Sequence, residues 1–224
     1  MMSPVTPTEP AASATRDPQR PARLLRAEHD ALLPILWRTS EEAFGRPTAC
    51  PQWSVRDVLA HCAAALTRAA TGRLHAFTPE QNEADVAERR EWPLAALLSE
   101  LANGYLDAGP AIEAAEGKLD VLALGEWVHG GDVRAALGEP GAYASEGSDD
   151  ACALLGDWTR RREVPLVEAR LPGGTWWLGA AVPGRAPATL TTSLATMIQL
   201  FAGRPVGPEG YELIGAQVDE LVVF

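Results

Sequence analysis

The chain has 224 residues, 46% hydrophobic and 22% charged, an ordinary globular balance with enough length to bury a sizeable core. Its net charge of −11, with no lysine/arginine cluster interleaved with aromatics, argues against nucleic acid as a ligand. No apolar run approaches the roughly 18 residues of a bilayer span, and residues 1–20 lack the apolar centre of a secretory signal, so no membrane partner and a cytoplasmic location are expected.

The first 20 residues hold four prolines with Ser, Thr and Ala and almost no large apolar side chains, which predicts a disordered tail. From Pro21 the apolar residues Leu24, Leu25, Leu32, Leu33, Leu36 and Trp37 recur every three or four positions. They predict a first amphipathic helix reaching about Phe44, with a kink at Pro34. Ser54 and Asp57 form a capping-box pattern that opens a second helix over Val55 to about Arg73. A third helical region follows, charged from Glu80 to Glu91, broken near Trp92-Pro93, apolar from Leu94 to Tyr105 and ended by Gly109-Pro110.

Leu119 to Leu137 predicts a fourth helix, stopped by Gly138 and then Pro140. A further helix is expected from about Asp149 to Ala169. After Leu171 the texture becomes turn-rich, with the β-favouring runs Thr175–Leu178 and Thr189–Thr192. A short helix over Ser193–Phe201, a strand over Tyr211–Gly215 and a closing helix over Ala216–Phe224 complete the expectation. The divisions read as a tail over 1–20, a four-helix bundle over 21–170 and a small α+β part over 171–224.

Cys50, Cys62 and Cys152 are odd in number with no Cys-x-x-Cys, so neither a disulfide framework nor a zinc ribbon is expected. Cys62, about 100° of helix from its neighbour His61, reads as a small core residue. His29, in a run of charges, and His75, near a helix end, read as solvated.

The chemistry concentrates in Leu124-Gly-Glu126-Trp127-Val-His129-Gly-Gly-Asp132 and in the segment reaching His61. On a helix, positions three apart differ by about 60°, so Glu126 and His129 can address one ion, as can His129 and Asp132. Glu126 and Asp132 are about 120° apart, which favours Glu126 and His129 as ligands, with Asp132 orienting a ring nitrogen or contacting substrate. His61, beside the apolar stripe of its own helix, is the candidate third ligand. Two imidazoles and a carboxylate suit Zn²⁺ or a similar divalent ion with open positions, a catalytic type of site. The competing reading makes each histidine an ordinary core or partly exposed residue. Arg204 is a candidate for an anionic group of substrate or thiol, or else an ordinary helix-terminal arginine. Trp127 and Trp53 flank these residues and could wall a pocket, although core packing is the simpler role for Trp53.

The string Pro47-Thr-Ala-Cys50-Pro-Gln-Trp53-Ser-Val-Arg-Asp57-Val-Leu-Ala-His61, with Val128-His129-Gly-Gly-Asp132-Val-Arg-Ala-Ala136-Leu-Gly138 about 70 residues later, resembles the mycothiol-dependent maleylpyruvate isomerase family. The likeness extends from about Leu24 to the end of the sequence and takes in Leu200-Phe-Ala-Gly203-Arg204. It implies a mainly α fold, a DinB-like four-helix up-and-down bundle followed by a small α+β C-terminal domain. It also implies a divalent metal on His61, His129 and a nearby glutamate, with mycothiol as thiol cosubstrate and a small electrophile as its partner. Asp132 matches the acidic residue of the family's His-x-x-Asp pattern. The family's glutamate usually lies four residues before the histidine, where this sequence has Gly125, and Glu126 lies three before. Three functions therefore stand: a thiol S-transferase or cis–trans isomerase, a metal-free binding or regulatory protein on the same fold, and a metal enzyme using water. Substrate identity and the choice between monomer and homodimer stay open.

Overall fold

The computed structural model describes residues 16–74 and 77–224. His75 lies outside these, as does most of the expected tail. Residues 16–20 do not extend that tail: Arg16 clasps Asp120 through two hydrogen bonds of 2.7 and 2.8 Å, and the first helix begins at Arg20.

Among the described residues seven α-helices follow in order: α1 Arg20–Arg38, α2 Val55–Ala70, α3 Pro79–Arg89, α4 Leu94–Ala114, α5 Asp120–Leu137, α6 Ser148–Arg161 and α7 Leu194–Phe201. Helices α1, α2, α4 and α5 pack on one another as the bundle, with α3 against α2 and α6 against α5. α1 continues through Pro34 as one helix but ends at Arg38, and a separate 3₁₀ turn over Glu41–Gly45 buries Ala43 and Phe44. Pro34 is exposed, so the carbonyl it leaves unbonded is on a face that water reaches. The expected capping box opens α2: Ser54 Oγ accepts from the Asp57 amide and Asp57 Oδ2 accepts from the Ser54 amide. α4 runs beyond Gly109-Pro110 to Ala114. The carbonyl deprived of a partner there belongs to Leu106, itself 41% exposed, so the proline costs little. α5 closes as expected on Gly138, whose φ of +80° suits a residue with no Cβ.

The helix expected to reach Ala169 stops at Arg161. Pro165 disfavours a helical conformation at Val164, and the chain turns into strand β1, Val167–Leu171. β1 joins β2, Gly174–Leu178, by a two-residue hairpin, while β3, Ala188–Thr192, lies parallel to β1 and antiparallel to β4, Tyr211–Ile214. The sheet, in the order β2-β1-β3-β4, thus starts four residues before the boundary expected at 171. The closing helix expected over Ala216–Phe224 is instead a 3₁₀ turn, Val218–Glu220, and an extended tail. Leu221 and Val223 are buried while Val222 and Phe224 are exposed, an alternation that belongs to extended chain. The Val223 amide donates to the Phe201 carbonyl at 3.0 Å, which pins that tail beside α7 and next to the bundle's cavity. No described helix is long and apolar enough to cross a membrane.

Candidate active site

A cavity of about 480 Å³ lies where α2 and α5 meet the C-terminal segment. α2 contributes His61 to it, and α5 contributes Val121, Leu122, Gly125, Glu126, Val128 and His129. The loop before α2 adds Cys50 and Trp53, held by a tight turn in which Thr48 Oγ donates to the Trp53 carbonyl and accepts from the Cys50 amide. α6 adds Trp158, whose indole N–H donates to the Val223 carbonyl, and Arg204 follows α7.

The polar end of the cavity is organised by Asp132, which is completely buried. Its Oδ1 accepts from the Tyr143 hydroxyl at 2.6 Å and from Arg204 Nε at 2.9 Å. Its Oδ2 accepts from Arg204 Nη2 at 2.7 Å, from the Cys50 thiol at 3.2 Å and from His129 Nδ1 at 3.2 Å. Burial opposes ionisation of Asp132, but the bonds from His129 and Arg204 outweigh it and hold the carboxyl well below the usual carboxylate range. Asp132 is therefore an anion, and the shared proton sits on His129 Nδ1, an assignment made from this partner. The lone pair of His129 is then on Nε2. The same burial and the Asp132 charge push the Cys50 thiol up to about 12, so Cys50 is a neutral donor here and not a thiolate.

Two glycines separate His129 from Asp132, and both are required by packing. A Cβ on Gly130 would overlap the carboxylate of Glu28, and one on Gly131 would overlap the ring of Tyr143. Glu28, in α1, is fully buried and bonded by both terminal nitrogens of Arg134 at 2.7 and 3.2 Å. The charge run around His29 therefore contains one side chain that is not solvated at all. Arg134 also holds the loop after α5 through the Ala142 carbonyl and Ser145, which brings Tyr143 onto Asp132.

His61 and His129 face each other edge to face, their ring centroids 5.3 Å apart, and the Trp53 ring stands 5.0 Å from His61. Desolvation, with smaller effects from His129 and Arg68, lowers the His61 pKa to about 3, so the ring is neutral and offers a lone pair. Burial pushes Glu126 up to about 8 against the pull of the neighbouring Cys62 thiol. Cys62, expected only to fill space, thus also influences the ionisation of Glu126. His61 Nδ1 and Glu126 Oε2 are both buried with no hydrogen-bond partner among the described residues.

Those orphaned atoms bear on whether a metal fits. Neutral imidazole nitrogen and carboxylate oxygen are the donors that a divalent transition metal takes, and here both lack the partner that buried polar atoms normally have. His61, His129 and Glu126 are in that sense a fitting set. A different group, Cys50, His129 and Asp132, has ligand atoms all within 4.8 Å of one another, and His61 and Glu126 stand outside it. That group suits a cation poorly, because the Arg204 guanidinium already sits on Asp132 Oδ2 and 3.4 Å from Cys50 Sγ.

Of the residues singled out in the sequence, His61, Glu126, His129 and Arg204 line one cavity, with Asp132 directly behind His129. Trp127, expected as a pocket wall, is not one. On α5 it faces the core, completely buried, with its indole N–H on the Glu146 carbonyl at 3.2 Å. Trp53, expected in the core, takes the wall position and donates to Glu83 at 2.9 Å. Sequence reasoning missed Cys50 and Tyr143. Cys50 lay inside the motif already quoted, whereas Tyr143 carried no local signal.

Residues 25–140 match the family model described as the mycothiol maleylpyruvate isomerase N-terminal domain. No curated protein matches the chain in sequence. Two solved structures share the fold: a mycothiol-dependent maleylpyruvate isomerase, at 18% identity and a TM-score of 0.56, and a histidine-to-alanine mutant of such an enzyme, at 17% and 0.56. Each alignment covers 90% of this chain and 95% of the other.

Proposed function

The chain belongs to the family of the mycothiol maleylpyruvate isomerase N-terminal domain, and from that premise we propose that it is an enzyme adding the thiolate of mycothiol to a small electrophile. In this reading His61, Glu126 and His129 hold a divalent ion, zinc or a similar metal. The observation that carries it is the approach of two imidazoles from facing helices, 5.3 Å between centroids, with one of them already tied to a buried carboxylate.

When bound, such an ion supplies the positive charge that lowers a thiol's pKa, so that thiolate is present at neutral pH. The protein's own residues prepare for this. Asp132 accepts from His129 Nδ1 and so fixes the tautomer that leaves the lone pair on Nε2. Arg204, Tyr143 and Cys50 keep Asp132 ionised by donating to it. His61 contributes a ring that stays neutral throughout the physiological range. The apolar walls exclude water from the added thiol and its target. The sulfur electron pair forms a C–S bond while the electrophile's conjugated pair moves to its activating oxygen. Rotation followed by expulsion of the thiol isomerises the substrate, whereas protonation of the adduct leaves an S-conjugate.

A metal-free binding protein is the second reading. It is favoured by the guanidinium of Arg204 within the one group of ligand atoms that, among the described residues, converge within 4.8 Å, and by the position of Glu126 outside it.

Metal analysis of the purified protein, with His61→Ala and His129→Ala alongside, separates the two. A stoichiometric divalent ion lost in both variants, together with consumption of mycothiol by the wild type, is the expected result. No ion in any of them after incubation with zinc would leave the binding protein as the better account.

A further inference from the structure

The cavity walls are largely carbon. Trp53, Phe77, Trp158 and Phe224 line it, with Val121 and Leu122 from α5. Phe77 and Phe224 stay 44% and 47% exposed, so neither is held there by the core. The ring of Phe224 lies 3.9 Å from where a Cβ on Gly125 would stand, so the C-terminal ring sits against the side-chain-free position of α5.

The described residues of the cavity lining hold no spare positive charge. Among the described residues lining it, Arg204 is the one arginine or lysine, and each of its three nitrogens is engaged. Nε and Nη2 are on Asp132, and Nη1 is on the Ala202 carbonyl at 3.0 Å. Glu83 adds a carboxylate, joined to the Trp53 indole. If the proposed ion is present, Glu126 and the incoming thiolate offset both of its charges. A dicarboxylate entering this site therefore meets no uncommitted cation, and leaving carboxylates desolvated without one is strongly unfavourable.

We propose that the site takes an uncharged electrophile with a planar apolar group, an aromatic or extended conjugated system, and rejects dicarboxylates. The occupant's electrophilic character rests on the thiol-addition reading above; the preference for a neutral apolar occupant rests on the cavity alone. Aromatic rings favour stacking or edge contact with such a group, and the polar end with His129 and Arg204 fixes which end of it enters first.

The test uses N-phenyl-1-naphthylamine, a neutral aromatic probe whose fluorescence rises in apolar surroundings, with the full-length protein as purified. Saturable binding is expected, weakened about tenfold by Phe224→Ala and by Phe77→Ala, since each removes a ring contact. Both residues are partly exposed, so truncating either leaves the fold in place. Maleate at about a hundredfold excess should fail to displace the probe, whereas a neutral aryl enone should compete. Displacement by maleate, or unchanged binding to both variants, overturns the proposal. Probe binding needs neither metal nor mycothiol, so the two readings fail separately. Selective binding of neutral aromatics without mycothiol turnover would uphold the occupant and remove the chemistry. Faster mycothiol turnover on a dicarboxylate than on the aryl enone would do the reverse.

Discussion

Arg204 grips Asp132 with two nitrogens, at 2.9 and 2.7 Å, across 72 residues of sequence. The pair joins the C-terminal segment to α5 and sets the charge on the carboxylate behind His129. Asp132→Asn leaves a mostly buried guanidinium without its counter-ion and should destabilise the protein by about 3 kcal/mol. The pH dependence has a definite sign. The folded pKa of Asp132 is depressed, so its contribution is present above the unfolded value near 3.8 and is lost as pH falls towards the lower folded value. The gap between wild type and Asp132→Asn in chemical denaturation should be constant from neutrality to about pH 5 and shrink below about pH 4. A gap that does not change with pH would mean that folding leaves the Asp132 pKa unshifted, and one that widens as pH falls would mean that Asp132 is not an anion in the folded protein.

Cys50 borders the cavity, yet its thiol is pushed up to about 12 by burial and by Asp132. Iodoacetamide at neutral pH should therefore modify it at least about tenfold more slowly than a free thiol of ordinary pKa. Cys62 and Cys152 are buried with raised values as well, so intact-mass analysis of the native protein should show little labelling until denaturant is added. Rapid labelling of Cys50 would show that it is a thiolate, and its place as a donor to Asp132 would then be wrong. Cys50→Ser keeps a donor in that place and should cost no more than about 1 kcal/mol.

Helix α5 offers an internal comparison. Alanine is favoured over glycine in a helix by about 1 kcal/mol, so on propensity alone every glycine in α5 is a stabilising target. At Gly125 a Cβ meets nothing nearer than 3.9 Å, and Gly125→Ala should raise stability by up to about 1 kcal/mol. At Gly130 and Gly131 the Cβ would overlap Glu28 and Tyr143. Gly130→Ala and Gly131→Ala should instead lower stability by about 1–3 kcal/mol, overpacking outweighing propensity. Thermal denaturation of the three variants is sufficient, and a gain at all three would sink the packing argument.

The bundle helices were legible because their signals are local. Ser54 and Asp57 mark the start of α2 within four residues, and Gly138 marks the end of α5. Where the outcome depended on distant partners, local pattern failed. Nothing in residues 216–224 announces that the Phe201 carbonyl will hold their last stretch extended. Glu28 reads as one charge among several, and only Arg134, 106 residues away, explains its burial. His61 and His129 stood out by residue type and motif, but a tryptophan's side of a helix did not: Trp127 and Trp53 exchanged the roles expected of them.

The Glu28–Arg134 pair lies wholly inside the bundle, its side chains 0% and 4% exposed. Burial raises the Glu28 pKa even though Arg134 pulls it down, so burying this charge costs more than the partner returns. The pair as a whole should then add little to stability, while removing one half should be expensive. Glu28→Ala leaves the Arg134 guanidinium unpaired and should cost about 3–5 kcal/mol. The double variant Glu28→Leu/Arg134→Met removes both charges and keeps the volume, and should lie within about 1–2 kcal/mol of wild type. Arg134 also positions the loop carrying Tyr143 through Ala142 and Ser145, so the double variant should bind ligands in the cavity more weakly even where its stability is restored. Denaturation curves for the single and double variants, set beside a cavity-binding titration, separate the two effects. If the double variant is as unstable as Glu28→Ala, the charges themselves support the fold and this account of the pair fails.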